Sequence, residues 1–201
     1  MSKSKQDPGN IIIQNIVLRT TARNKADIEY WRTSHRQAEQ VLSTGTRVNL
    51  YDLYDDISLD AHLSAIIDKR IMSITNHKLR FVKDNKDVED VQRIIRSRGF
   101  RDMLREMMLA QFWGITVCEL RKAEDGTITC YSVPRKHIRP RTQKIVSEQY
   151  GDEKSGISYR EGYYYNTCIE IGTPNGLGLL LKATPYVIYK RGCWGDWAQY
   201  S

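Results

Sequence analysis

The sequence predicts an α+β fold, with helices packed on a small, mostly antiparallel sheet. Two patterns carry that reading. Apolar residues recur at spacings of three and four over 59–74 and again over 100–113, as on the buried face of a helix. After Gly114 the period changes to that of strands: Ile115–Lys122 and Thr127–Val133 are joined by Ala123-Glu124-Asp125-Gly126, whose glycine supplies the positive φ of a tight hairpin. The size agrees, since 201 residues with 40% hydrophobic and 27% charged side chains describe one domain, or one domain plus a tail. Such a chain buries roughly 70% of its unfolded surface.

In chain order, residues 1–23 read as a flexible N-terminal arm, in which Ile11–Leu18 is an apolar, β-branched run suited to an edge strand or a docking segment. Asn24 or Asp27 caps a helix running to about Leu42, polar around much of its circumference. Leu59, Leu63, Ile66, Ile67, Ile71 and Ile74 form the stripe of the next helix, with Ser58 as its cap and Asp55, Asp56 and Asp60 where the helix dipole favours negative charge. Lys78–Val82 alternates as a strand does. Val88–Ser97 is a helix broken at Gly99, and Phe100–Trp113 is a second one ending at Gly114. Leu63, Ile66, Ile67, Ile71, Leu104, Met107 and Met108 are the predicted core. Further short strands are expected near Lys144–Glu148, Gly156–Arg160 and Tyr163–Ile171. Gly172–Gly178 is a loop, and Leu179–Tyr200 a helix interrupted near Pro185 and Gly192.

The chemistry-bearing residues exclude more than they assign. Net charge is +7, from +4 over residues 1–50 and +3 over 101–150, a mild excess that permits contact with nucleic acid without requiring it. The basic run Arg135, Lys136, Arg139, Arg141 and Lys144 can neutralise phosphates or face another subunit, and a nucleic-acid-binding domain using 135–144 is the alternative function to weigh. The acidic cluster Asp52, Asp55, Asp56 and Asp60 fits no calcium loop, and its ordinary reading is helix-start electrostatics. The glycine loop lacks the Gly-Lys-Ser/Thr of a phosphate-binding loop and reads as a turn into a helix. No catalytic set emerges, so neither enzymatic activity nor a cofactor or metal is expected. Cys118, Cys130, Cys168 and Cys193 include no close-set pair and are expected as free thiols in a reducing compartment. No apolar stretch is long enough to span a membrane and the N-terminus lacks a secretory pattern, so a cytoplasmic setting is expected. Tyr150, Tyr159, Tyr163, Tyr164 and Tyr165 cluster in the strand region, while Trp194, Trp197 and Tyr200 recur at helical spacing at the end of the chain, together suggesting a large protein interface.

Several of these segments, in order, resemble tailed-phage portal proteins, and the Mu-type portal family in particular. Residues 53–70, LYDDISLDAHLSAIIDKR, resemble that family's acidic, Asp-x-His, apolar-helix, Lys-Arg opening. Phe100–Leu120 is similar to its helix that ends in glycine and runs into a strand bearing Glu119. Asp125-Gly126 followed by Val133–Ile138 resembles the passage to its Pro-x-x-Ile strand, and Gly176–Ala183 with Tyr189–Ala198 resembles its glycine-led helix with Lys and Asp-Trp-Ala. The resemblance covers about residues 51–201 and implies that 24–201 form a portal wing-like α+β domain. Relatives continue into stem and clip segments, so the chain is expected to be truncated at its C-terminus. What the resemblance implies is a structural subunit, or a fragment of one, of a dodecameric ring at one capsid vertex. The partners it implies are other portal subunits, capsid, terminase and neck proteins, and double-stranded DNA passing through the channel. It implies residence in the virion and, during assembly, in the host cytoplasm. Arg135, Lys136, Arg139, Arg141 and Lys144 are then candidate nucleic-acid or subunit contacts, and Trp194, Trp197 and Tyr200 a candidate subunit interface.

Overall fold

The computed structural model of the protein describes residues 11–18, 26–40 and 46–200. Of the arm drawn at 1–23, residues 1–10 and 19–23 lie outside the described residues, as do the candidate cap Asn24 and the predicted helix end at Leu42. The stretch 11–18 is a docked segment rather than a strand: a 3-10 turn, Ile12–Asn15, places Ile12 fully inside the core, and the Val17 N–H donates to the Ser147 carbonyl at 2.8 Å.

Helix α1 spans Ile28–Glu39 and is capped by the Asp27 carboxylate, which accepts from the Tyr30 N–H. Helix α2, Val48–Ile57, was hidden in the sequence, and it is the most buried helix: Val48, Leu50, Tyr51, Leu53, Tyr54 and Ile57 are all enclosed. Ser58 ends α2 instead of starting the next helix; Asp60 caps α3, Ala61–Thr75, by accepting from Leu63 N–H at 3.0 Å. The predicted stripe on α3 is correspondingly narrower. Ile67 and Ile71 are buried, whereas Leu59, Ile66 and Ile74 are exposed, because α2 occupies the core position that a longer helix would have filled.

Residues 78–81 are not a strand. Val82–Lys83 (β1) and Lys86–Asp87 (β2) form a minimal hairpin whose turn residues, Asp84 and Asn85, both have positive φ, as tight hairpin turns demand. Helix α4 spans Glu89–Arg96 and α5 spans Arg98–Trp113, and the break between them is Ser97, extended and capping α5 through Phe100 N–H. Gly99 lies inside α5 and lets the helix touch the next hairpin, since a Cβ there would sit 1.9 Å from the Ile128 carbonyl oxygen.

Strands β3 (Ile115–Lys122) and β4 (Ile128–Ser132) form the predicted hairpin, and β8 (Cys168–Gly172) pairs antiparallel along the other edge of β3. A second antiparallel sheet is made of two-residue strands, β5 (Ile138–Arg139), β6 (Lys144–Ile145) and β7 (Ile157–Ser158). Ile12, Ile115, Val117, Val133, Ile138, Ile145, Tyr159, Tyr164 and Cys168 fill the core against these strands. Tyr159 and Tyr164 therefore belong to the interior, while Tyr150 and Tyr165 stand exposed. The helical core joins Leu50, Tyr51, Tyr54 and Ile57 of α2 to Ile67, Ile71, Phe112, Leu180 and Val187. From the predicted core, Met107 is exposed and Leu104 half-buried.

The glycine loop is a backbone junction. Cβ atoms on Gly172 and Gly178 would meet the carbonyl oxygens of Gly114 and Phe112 at 2.2 and 2.1 Å, so only glycine lets the loop lie against the end of α5. Arg47 donates to the Gly176 and Pro174 carbonyls and Tyr54 Oη donates to the Leu177 carbonyl at 2.6 Å, fixing the loop from below. It launches α6, Leu180–Tyr200, a helix that runs unbroken through Pro185 and Gly192. Pro185 falls early in the helix, and the Thr184 hydroxyl bonds the Leu180 carbonyl at 2.7 Å beside it. The fold is α+β, as the sequence predicts.

Candidate functional site

Asp52, Asp55 and Asp56 lie three and four residues apart and so share one edge of α2, with Asp60 just beyond. Each carries a cation. Lys136 Nζ sits 2.5 Å from Asp52 Oδ1 and 2.9 Å from Asp55 Oδ2. Arg191 reaches Asp56 Oδ2 at 2.6 Å and its carbonyl at 2.9 Å, and Lys190 Nζ lies 2.5 Å from Asp60 Oδ2. The acidic cluster is thus an ionic clamp that ties α2 and the start of α3 to the basic run on one side and to α6 on the other. Burial alone would lower the pKa of Lys136; hydrogen bonds to Asp52 and Asp55 outweigh it and hold the ammonium charged. Asp60 is held below its ordinary pKa, chiefly by the Lys190 hydrogen bond and then by the Leu63 N–H.

The basic run turns inward. Arg135 bonds Glu106 Oε2 of α5 at 2.7 Å and Thr116 Oγ1 of β3 at 2.8 Å, and its guanidinium lies 5.2 Å from the centre of the Trp113 ring. Arg139 is enclosed and donates to the carbonyls of Lys136 and Gln149 at 3.0 and 2.7 Å, and burial lowers its pKa. His137, between them, is also buried; its Nδ1 faces the Val146 carbonyl at 2.9 Å, so that nitrogen carries the proton, and burial lowers its pKa. Arg135, Lys136 and Arg139 therefore brace the interior, and only Arg141 and half-buried Lys144 of the five candidates remain toward solvent. A phosphate backbone meeting this surface would find a much weaker charge than the sequence suggests.

Helix α6 changes character along its length. Its first half is packed through Leu180, Thr184 and Val187, and Lys190 and Arg191 pin it at the clamp. Beyond the clamp its described residues stand bare: a Cβ on Gly192 would meet nothing within 4 Å, Cys193 is exposed, and Trp194 and Trp197 are 62% and 66% exposed. The two indoles meet edge to face with centroids 6.1 Å apart and planes at 87°. Tyr186 and Tyr189 are exposed further back on the same helix. The structure thus brings Trp194 and Trp197 together as one aromatic surface; Tyr200 ends the helix, and its side chain lies outside the described residues. Sequence reading missed the clamp. Lys190–Arg191 and the aspartates are about 130 residues apart, and no local spacing links them; the repeat of acids along α2 was the available signal.

An open cleft of about 910 Å³ runs between the start of α5 and the β3–β4 turn and mixes Arg93, Arg96 and Arg98 with Asp90, Asp102 and Asp125. Arg93–Asp90 and Arg98–Asp102 contacts at 3.6 and 3.7 Å pair charges along α4 and along α5, each within its own helix. Among the described residues no group of three or more His, Cys, Asp or Glu is placed to hold a metal ion, and no helix is long and apolar enough to cross a membrane.

No curated protein and no solved structure matches the chain. A family match is found: residues 51–201 fit the family described as the portal protein of Mu bacteriophage. The matched stretch begins within α2, at Tyr51, and takes in the clamp, the inward-facing basic run, the glycine junction and the aromatic end of α6. With three-quarters of its length inside that match, the chain belongs to the Mu-type phage portal family.

Proposed function

We propose that this chain is the wing portion of a subunit of a ring-shaped portal, dodecameric in the whole protein. The ring would sit at one capsid vertex, where DNA enters and leaves and where the terminase and the neck attach. Family membership supports the portal role. The observation that carries the finer reading is the bare half of α6, where Trp194 and Trp197 face water beyond a helix pinned in place by Lys190 and Arg191. Burying a large apolar side chain is worth roughly 1.5–3 kcal/mol, so a fixed helix presenting two indoles suits a contact with a neighbouring subunit or a following segment. The chain itself is proposed to be structural, working in the virion and, before that, in the host cytoplasm. Immunogold labelling of phage particles from a host carrying this sequence tests the placement. Antibodies against the chain should mark a single vertex per particle at the head–tail junction. Label spread over the whole shell, or confined to the distal tail, would overturn it.

A further inference from the structure

With Arg135, Lys136 and Arg139 turned inward, a second concentration of positive charge stands outward on α4 and α5. Residues 93–105 hold Arg93, Arg96, Arg98, Arg101 and Arg105 against one acid, Asp102, and all five arginines are exposed. Arg98, Arg101 and Arg105 follow at spacings of three and four, so they form one stripe along the surface of α5. That stripe rises about 10 Å along the helix axis, the rise of about three phosphates on one strand of DNA. Arg93 and Arg96, three apart on α4, line the open cleft together with Arg98, which joins the two helices into one arginine face. Arg96, Arg101 and Arg105 make no hydrogen bond or ion pair among the described residues. The nearby acids are mostly engaged. Glu89 and Asp90 stand in the first turn of α4, where they suit the helix dipole, and Asp125 accepts from the Thr127 N–H and hydroxyl at 2.9 and 2.6 Å. These three gather about Arg93, whose guanidinium lies against Gly126 in the hairpin turn. Toward Arg105 the acids are Asp102, in a loose exposed contact with Arg98 at 3.7 Å, and Glu106, which is taken by Arg135.

We propose that this arginine face binds double-stranded DNA through its phosphates, without reading base sequence. Nucleic-acid contact, which the sequence placed on residues 135–144, is assigned instead to 93–105. The residue type fits, because a guanidinium presents a planar fork of N–H donors that pairs with two phosphate oxygens at once. So does the placement. The arginines stand on the sides of helices packed against the body of the fold, where they meet a sugar-phosphate backbone and do not enter a groove to reach base edges. A rigid row of charges at helical spacing suits the regular phosphates of a duplex better than an acidic polypeptide segment, whose carboxylates keep no fixed spacing. The three arginines without a protein partner give up no internal contact when a phosphate arrives. The proposal rests on the surface of the single chain and does not need the ring.

The test titrates the whole chain into a short fluorescein-labelled duplex and reads binding by anisotropy at rising salt. Each neutralised phosphate adds about −0.9 to the slope of log affinity against log salt, so the wild type should show a slope of about −3 to −5. Arg96→Ser/Arg101→Ser/Arg105→Ser should weaken low-salt binding at least about tenfold and flatten the slope by about 2–3. Arg96→Lys/Arg101→Lys/Arg105→Lys keeps the charges and should keep the slope. Lys83→Ser/Lys86→Ser/Arg141→Ser removes three exposed cations elsewhere and should leave affinity and slope near those of the wild type. Thermal unfolding of each variant should match the wild type, which separates lost binding from lost folding. Two duplexes of unrelated sequence should bind alike, and polyglutamate of equal charge should displace them poorly. No binding at low salt, equal losses in the two serine variants, a strong preference for one duplex, or displacement by polyglutamate as effective as by unlabelled duplex would each overturn the proposal.

Discussion

Gly99 lies in the first turn of α5, where a Cβ would fall 1.9 Å from the Ile128 carbonyl oxygen. Helix propensity alone favours alanine there, by up to about 1 kcal/mol. Packing argues the other way, because the obstacle is strand backbone rather than a movable side chain, and overfilled sites lose about 1–3 kcal/mol. Gly99→Ala should therefore destabilise the protein, read as a lower urea midpoint; an unchanged or higher midpoint would mean that α5 and β4 do not touch as described. The basic run gives a second comparison. Lys136→Met removes the ammonium that Asp52 and Asp55 share and leaves their carboxylates half-buried without it, so it should lose about 1–3 kcal/mol. Arg141→Met, at an exposed position, should stay within about 0.5 kcal/mol. If the two variants are equal in urea unfolding, the basic run is not an internal brace.

Helices α2 and α3 divide the work that the sequence assigned to a single helix. Ile57→Ala, in the enclosed α2, should cost about 2–5 kcal/mol, whereas Ile66→Ala on the exposed side of α3 should lose well under 1 kcal/mol. Thermal unfolding of both variants checks the order, and a larger loss for Ile66 would restore the one-helix reading. The clamp predicts an acid response. The folded pKa of Asp60 lies below its unfolded value near 3.9. Its contribution is therefore complete above that value and fades as pH falls through the lower folded pKa. Asp60→Asn keeps a good cap for α3 while removing the charge that holds Lys190. Amide exchange around Tyr186–Arg191 should quicken in that variant at pH 7, and the wild-type protein should show the same quickening only in strongly acidic solution.

The elements that were legible had strong local periods. The β3–β4 hairpin and α5 follow from alternation, Gly126 and the spacing of Phe100, Leu104, Met108 and Phe112. Helix α2 escaped notice because it is buried on most sides: with Val48, Leu50, Tyr51, Leu53, Tyr54 and Ile57 all enclosed it shows no single apolar stripe, and its aspartates read as the dipole partners of α3. The two-residue strands β5, β6 and β7 are too short to show a period at all. At the site, Trp194 and Trp197 were visible as a helical pair, whereas the inward turn of Arg135, Lys136 and Arg139 depends on acids and carbonyls distant in sequence.

At the scale of the whole molecule, the chain joins a helical core to two small sheets, with α6 carried out from that body along the clamp. A closed ring needs two different, complementary patches on each subunit, because each copy meets its neighbours head to tail. The aromatic end of α6 serves as one of them in the proposed assembly. The most direct measurement is multi-angle light scattering of the full-length product, wild type beside Trp194→Ser/Trp197→Ser. A monodisperse ring of about twelve subunits for the wild type, in keeping with closed cyclic assembly, and its loss in the double variant is the predicted result. A wild-type product that stays monomeric, or a double variant that still closes into the same ring, would contradict the account.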